Sequence, residues 1–267
     1  MKQQIKRILP PSLWNAARDA RDAVSRFPDW CSAAFHPWRQ DSVQRITALK
    51  DIHRGERCFI IGNGPSLKQT DLSRLANEAT FGMNRFYLAF PELGFTTTYY
   101  LSINDLVVEQ CAEDLQKLPL PQFFSWRARQ WIQPAENIHF LYTSYTGPRF
   151  ARRATGRLWE GATVTYTALQ LAYHMGFEKV ILIGVDHNFE TKGTPNTTVV
   201  SEGDDPNHFN PQYFGKGFRW QLPDLQTSER SFSMARRAYK ADGRQVLDAT
   251  IGGKLQIFPK VDYEKLF

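Results

Sequence analysis

The loop DDPNHFNPQYFGKGFRW, residues 204–220, holds the densest set of groups able to do chemistry. A histidine with a pKa near ~6.5 can take a proton from an attacking hydroxyl at neutral pH, which makes His208 the candidate base. Tyr213, Lys216 and Arg219 are hydroxyl and cationic groups suited to neutralising a departing phosphate, and Arg219 could also hold substrate. Loops this long in compact domains are usually functional or disordered, and the aromatic content here argues against disorder. The plainer reading is a packed lid with a satisfied histidine.

A second stretch, FIIGNGPSL, runs from Phe59 to Leu67. Gly62 and Gly64 permit a tight turn and a close approach of backbone to ligand. Ser66 can cap a following helix, whose N-terminus attracts phosphate. Leu67 stands where a dinucleotide fingerprint needs its third glycine, and no Gly-Lys-Ser/Thr follows, so NAD and P-loop chemistry are both disfavoured.

These residues need elements to position them. Residues 58–61, 79–83, 97–103, 122–126, 138–142, 179–185 and 245–247 read as strands; 66–77, 163–175 and 228–241 read as helices. The alternation predicts an α/β, Rossmann-like fold, a mostly parallel sheet with helices on both faces. Ligands in such sheets bind beyond the carboxyl ends of the strands. The residues delivered there are Gly62-Asn63-Gly64, Asn84-Arg85, Asn104-Asp105 and Asp186-His187, with Thr163 opening the helix before the last of these. His187 is a candidate substrate contact. Asn and Asp also cap helices and turns, which is the structural alternative for each.

The 267 residues carry a net charge of +6, 42% hydrophobic and 22% charged residues, which suits a globular domain with anionic ligands. No zinc-finger spacing or RNA-recognition pattern is present, so nucleic acid is not an expected partner. Cys31, Cys58 and Cys111 form neither a disulfide framework nor a metal site. No apolar run reaches the ~18 residues of a membrane span. Residues 1–56 form a separate basic extension. Ile5, Ile8, Leu9, Leu13, Trp14, Ala17 and Val24 alternate there with Lys2, Lys6, Arg7, Arg18, Arg21 and Arg26. Such a helix lies on a membrane surface or packs on its own domain or a partner subunit, the last making a homo-oligomer. The Rossmann-like domain is expected over 57–267, in the cytoplasm or on the inner face of its membrane.

GNGPSL after the first strand, Asn84, SIND with Asn104, and the helix–strand unit ending in GVD together resemble bacterial single-domain sialyltransferases that use CMP-sugars. With HFNPQYFGKGFRW and DGRQVLDATIGGKLQIFP they resemble still more a broader related family, whose founding activity is the archaeal 6-hydroxymethylpterin diphosphokinase and whose bacterial members often accompany surface-polysaccharide genes. The resemblance spans about residues 57–262. It implies nucleotide contacts from Gly62, Asn63, Gly64, Ser66, Asn84, Asn104, Thr163 and Asp186, with His208 as base. Asn188 stands where the sialyltransferases place a phosphate-binding tyrosine, so that role would pass to Tyr213 or Lys216. The implied reaction moves an acidic sugar (sialic acid, another nonulosonic acid or Kdo) from CMP to a glycan or lipid-linked glycan, with no cofactor required. The alternative is an ATP- and Mg²⁺-dependent diphosphokinase, with Asp186, Asp204 and Asp205 as metal candidates. A third is a nucleotide-binding scaffold without activity.

Overall fold

The computed structural model describes residues 20–21, 24–190 and 193–267. The apolar stripe expected between Ile5 and Ala17 lies outside them. Eight strands form one sheet: β1 (Arg57–Ile61), β2 (Ala79–Met83), β3 (Tyr99–Ser102), β4 (Gln122–Ser125), β5 (Ile138–Ser144), β6 (Arg157–Trp159), β7 (Lys179–Ile183) and β10 (Gln245–Asp248). All neighbours pair in parallel, in the order β10-β7-β1-β2-β3-β4-β5-β6. A two-stranded antiparallel ribbon, β8 (Thr198–Val200) with β9 (Arg219–Gln221), stands apart from it.

The continuous apolar character of the central strands follows from burial on both faces. In β1, Cys58 and Ile60 point into one core while Phe59 and Ile61 point into the other. The first core is closed by α4 (Val164–Met175) and α5 (Leu225–Ala241), through Leu169, Ala172, Phe232 and Tyr239. The second is closed by α3 (Asp105–Gln116), through Val108, Cys111 and Leu115.

Two N-terminal helices, α1 (Phe27–Phe35) and α2 (Pro37–Ala48), precede the sheet. The α2 helix packs on β5 and α4. Ser42 Oγ accepts the Phe140 amide at 3.0 Å, Ile46 is fully buried, and its carbonyl accepts from His174 Nε2 at 2.8 Å. Residues 37–48, which the sequence reading assigns to the extension, therefore pack as part of the sheet domain. Among the described residues no helix is long and apolar enough to cross a membrane.

The predicted helix over 66–77 is instead two short 3₁₀ turns, Pro65–Gln69 and Leu72–Leu75. The Thr70 hydroxyl bonds back to the Ser66 carbonyl at 3.1 Å, and the Asp71 carboxylate takes the Ser73 amide at 3.1 Å. These local bonds compete with helix propagation and restart the chain at Asp71. Helix α3 was not anticipated, because Asn104 reads as a site residue. Its Oδ1 caps α3 by accepting from Leu106 and Val107 amides at 3.0 and 3.4 Å.

His174 and His139 are both buried, and burial holds the pKa of each below its ordinary value. His174 has no partner at Nδ1, where an added proton would go. Below pH ~6.5 the unfolded chain binds protons there that the folded chain refuses, so stability falls on acidification. The unfolding free energy from urea titration should drop between pH 7.5 and 5.5, by at most about 1.4 kcal/mol per pH unit per histidine, and the midpoint with it. His174→Gln should flatten that decline, and a midpoint indifferent to pH would refute this assignment.

Candidate functional site

A cleft of about 770 Å³ opens at the carboxyl ends of the strands. Its walls include Asn63, Asn84, Asn104, Thr163, Asp186 and His208, so most residues drawn from separate strand ends do meet there. Its floor lies where the strand order reverses, between β1 and β7, the usual place for a ligand in an open α/β sheet.

At that point the two loops are pressed together. The Gly62 amide donates to the Ile183 carbonyl at 2.7 Å, and the Gly64 amide to the Gly184 carbonyl at 2.9 Å. A Cβ at Gly62 would collide with the Gly184 carbonyl, and one at Gly64 with the Asp186 carboxylate. The glycines thus serve contact between loops rather than approach to a phosphate, and their amides are spent. Asp186 completes the clamp by accepting from the Ser66 amide at 3.0 Å and the Ser66 hydroxyl at 2.7 Å. Burial pushes its pKa up, opposed by these two bonds. Ser66 and Asp186 hold each other, and only a 3₁₀ turn follows Ser66, so no α-helix N-terminus begins there.

Asn63 remains available to a ligand. Its Nδ2 donates to the Met83 carbonyl at 3.2 Å, while its buried Oδ1 has no partner. A buried acceptor left unpaired costs about 1–3 kcal/mol, which a ligand donor would recover. Asn84, at φ +54°, is fixed by Ser102, whose hydroxyl donates to its Oδ1 at 3.2 Å.

His208 stands on the cleft wall with its ring set by its neighbours. Nδ1 lies 2.7 Å from Asp205 Oδ2, and the ring stacks on Tyr213 at 4.0 Å between centroids. Asp205 also accepts the Asn207 amide at 2.8 Å and the Phe214 amide at 3.1 Å, so its carboxylate is acceptor-only and Nδ1 carries the proton. Nε2 is then the basic nitrogen, and no partner holds it among the described residues. Asp205 is a positioning residue that sequence reasoning considered only as a turn or metal ligand. Its spacing three residues before His208 was the available signal.

The loop carrying His208 is tied down rather than loose. The Phe209 amide donates to the Asn63 carbonyl at 2.9 Å, and Arg85 Nη1 donates to the carbonyls of Gln212, at 2.7 Å, and Tyr213. Tyr213, Phe214, Trp220 and Leu222 form a small core of their own with Val107. Tyr213 is buried, burial raises its pKa, and its hydroxyl lies 3.5 Å from the Arg85 amide; it supports His208 from beneath. Lys216 is exposed and does not line the cleft. Arg219 pairs with Glu109 at 3.0 Å, holding β9 to α3, and lies outside the cleft too. His187 lines the cleft but bonds Glu229 of α5 at 3.0 Å.

Of the helices that begin on the cleft, α1 carries Asp29 in its first turn, and the caps of the other three differ. The α3 helix carries Asp105 in its first turn, and α5 is capped by Asp224, so both positive ends are compensated by carboxylates. The α4 helix is capped by the neutral hydroxyl of Thr163 and has no acidic residue in its first turn. Its N-terminal dipole is the one left for an anion. Gly161 and Ala162, both at positive φ, lead into it. Beside it, Arg127 bridges Asp105 at 2.7 Å and Glu160 at 2.9 Å. Sequence reasoning missed this bridge because its three members come from distant segments.

The carboxylates considered for metal are occupied by protein donors. Asp186 holds Ser66, Asp205 holds His208, and Asp204 accepts from Gln212 at 3.0 Å. Among the described residues no three His, Cys, Asp or Glu side chains cluster to hold a metal ion.

Residues 38–192 match the model of a family described as 6-hydroxymethylpterin diphosphokinase MptE-like. Comparison with curated proteins returned no match. Among solved structures, the chain is similar to the sialyltransferase CstII from Campylobacter jejuni in complex with a substrate analogue, cytidine-5'-monophosphate. Identity is 16%, the TM-score 0.46, and the alignment covers 78% of this chain and 85% of that one.

The loop contact at the cleft floor can be tested directly. Gly64→Ala should destabilise the fold by about 1–3 kcal/mol or more in chemical denaturation, since Asp186 has to give way. Gly156→Ala, where a Cβ meets nothing within 4 Å, should stay within about 0.5 kcal/mol of wild type. Equal effects would mean that the β1 and β7 loops are not in contact.

Proposed function

The chain belongs to this MptE-like family, and we propose that it is a glycosyltransferase moving an acidic sugar from a CMP donor to a hydroxyl of a surface-glycan acceptor. The observation that carries the reading is the Asp205–His208 pair, with Nε2 unbonded on the wall of a cleft that also holds the free N-terminus of α4. Proton transfer at Nε2 and anion binding at a helix N-terminus are the two tasks such a transfer sets.

In this reading, Nε2 of His208 takes the proton of the acceptor hydroxyl as its oxygen bonds the anomeric carbon. The bond from that carbon to the phosphate oxygen breaks, and CMP leaves with the electron pair. Asp205 stabilises the imidazolium that forms, as a carboxylate beside Nδ1 does. The Thr163 hydroxyl and the first amides of α4 receive the phosphate charge. Asn63 Oδ1 accepts from a ribose hydroxyl or a base amine. Arg127 is already paired with two carboxylates and orders the wall beside α4.

The family's namesake activity is the second reading. The family match favours it, and that match includes Asp186 but stops before His208. The commitments of Asp186, Asp204 and Asp205 to protein donors weigh against it, because phosphoryl transfer to a metal-bound nucleotide asks for carboxylates free to ligate.

Thermal shift separates the two. CMP at about 100 times its Kd should stabilise by ~2.7 kcal/mol without added metal. Stabilisation by ATP with Mg²⁺ and none by CMP would overturn the first reading. His208→Ala should retain the CMP shift and lose turnover by about 100- to 10,000-fold. Asp205→Asn should keep CMP binding and lower kcat in the same direction. Full turnover in His208→Ala would remove the base from the mechanism.

A further inference from the structure

A second cavity, about 550 Å³, lies between α1, α2 and the β6 end of the sheet. Two guanidinium groups line it, those of Arg39 and Arg157, and among the described residues no carboxylate does. Arg39 is 97% buried, on a relative exposure of 3%. Its Nη2 is fixed on the Thr155 carbonyl at 2.8 Å and the Gly156 carbonyl at 3.4 Å, while Nε and Nη1 have no partner among the described residues. Burial lowers its pKa to about 10, so it stays charged at neutral pH. Arg157 lies over the Tyr142 ring at 5.5 Å and forms no salt bridge among the described residues.

The contrast with the main cleft is sharp, since Arg127 there is neutralised by Asp105 and Glu160. A buried guanidinium with no counter-charge is costly, and proteins keep such a group when something else supplies the charge. Planar guanidinium forks match phosphate oxygens in pairs, which makes phosphate the fitting anion. Trp30, on the rim of this cavity, is 44% exposed and belongs to the same outward-facing helix as the exposed Phe27 and Phe35. An apolar body attached to the phosphate would rest on them.

We propose that this cavity is a second anion site, built on Arg39 and Arg157, that takes a phosphate-bearing group. It is independent of the reaction assigned to the main cleft. A lipid headgroup and a free phosphate compound present the same chemistry to the two arginines, and the aromatic residues of α1 distinguish them.

The test titrates the full chain with inorganic pyrophosphate by calorimetry, and with vesicles by co-sedimentation. The vesicles are phosphatidylcholine alone, or phosphatidylcholine with one-third phosphatidylglycerol. Arg157→Ala, an exposed substitution, should weaken pyrophosphate binding at least about tenfold. Arg39→Met should do the same while leaving the ligand-free Tm equal or higher, because it removes an unpaired buried charge. If Arg39→Met lowers the Tm, its guanidinium is structural and Arg157→Ala alone decides. Binding to anionic vesicles that Phe27→Ser with Phe35→Ser abolishes, while pyrophosphate binding persists, identifies the lipid source. Pyrophosphate binding without vesicle binding identifies a free phosphate compound. Pyrophosphate and vesicle binding both unchanged in Arg157→Ala, or no binding of either by wild type, overturns the proposal.

Discussion

The clamp between Ser66 and Asp186 decides the shape of everything above the sheet. Two hydrogen bonds from one serine, to a carboxylate 120 residues away, draw the loop after β1 against the loop after β7. The contact is so close that side chains are excluded at Gly62 and Gly64. With those two loops locked, the Asn63 carbonyl is placed to receive Phe209, and through it the loop that carries His208. At the reversal of strand order this contact forms the floor of the cleft, which opens above it.

The electrostatics of the cleft turn on which of its groups are already paired. Its carboxylates outnumber its cations, yet each is engaged: Asp29 with Arg129, Asp105 and Glu160 with Arg127, Asp186 with Ser66, Asp224 with the first turn of α5. Among the described residues, the N-terminus of α4, the lone acceptor of Asn63 and Nε2 of His208 remain open. A site of this kind discriminates through a few open groups rather than through net charge.

The sheet was legible in the sequence because buried parallel strands write themselves as short apolar runs ending in Gly, Asn or Asp. Most of the residues read at strand ends therefore line the cleft. Roles were less legible, because an asparagine that caps α3 and one that awaits a ligand look alike until their partners are known. Ser66 and Asp186 read as two ligand groups, whereas they satisfy each other. Lys216 and Arg219 share a segment with His208, but β9 turns them away from the cleft. The bridge of Asp105, Arg127 and Glu160 joins three segments that no local pattern connects. Helix 66–77 failed because Thr70 and Asp71 offered side-chain bonds that outcompete helical ones.

The order of strands also has a consequence for how the chain assembles as it is made. β1 sits near the middle of the sheet, but its neighbour β7 is synthesised more than 100 residues later. Until then β1 presents an open edge flanked by Cys58, Phe59, Ile60 and Ile61, the kind of surface that invites pairing with another chain. Only when Asp186 emerges can the loop of Ser66 close. The floor of the site is therefore among the last parts of the molecule to exist, and a nascent chain that has built five strands still has no pocket.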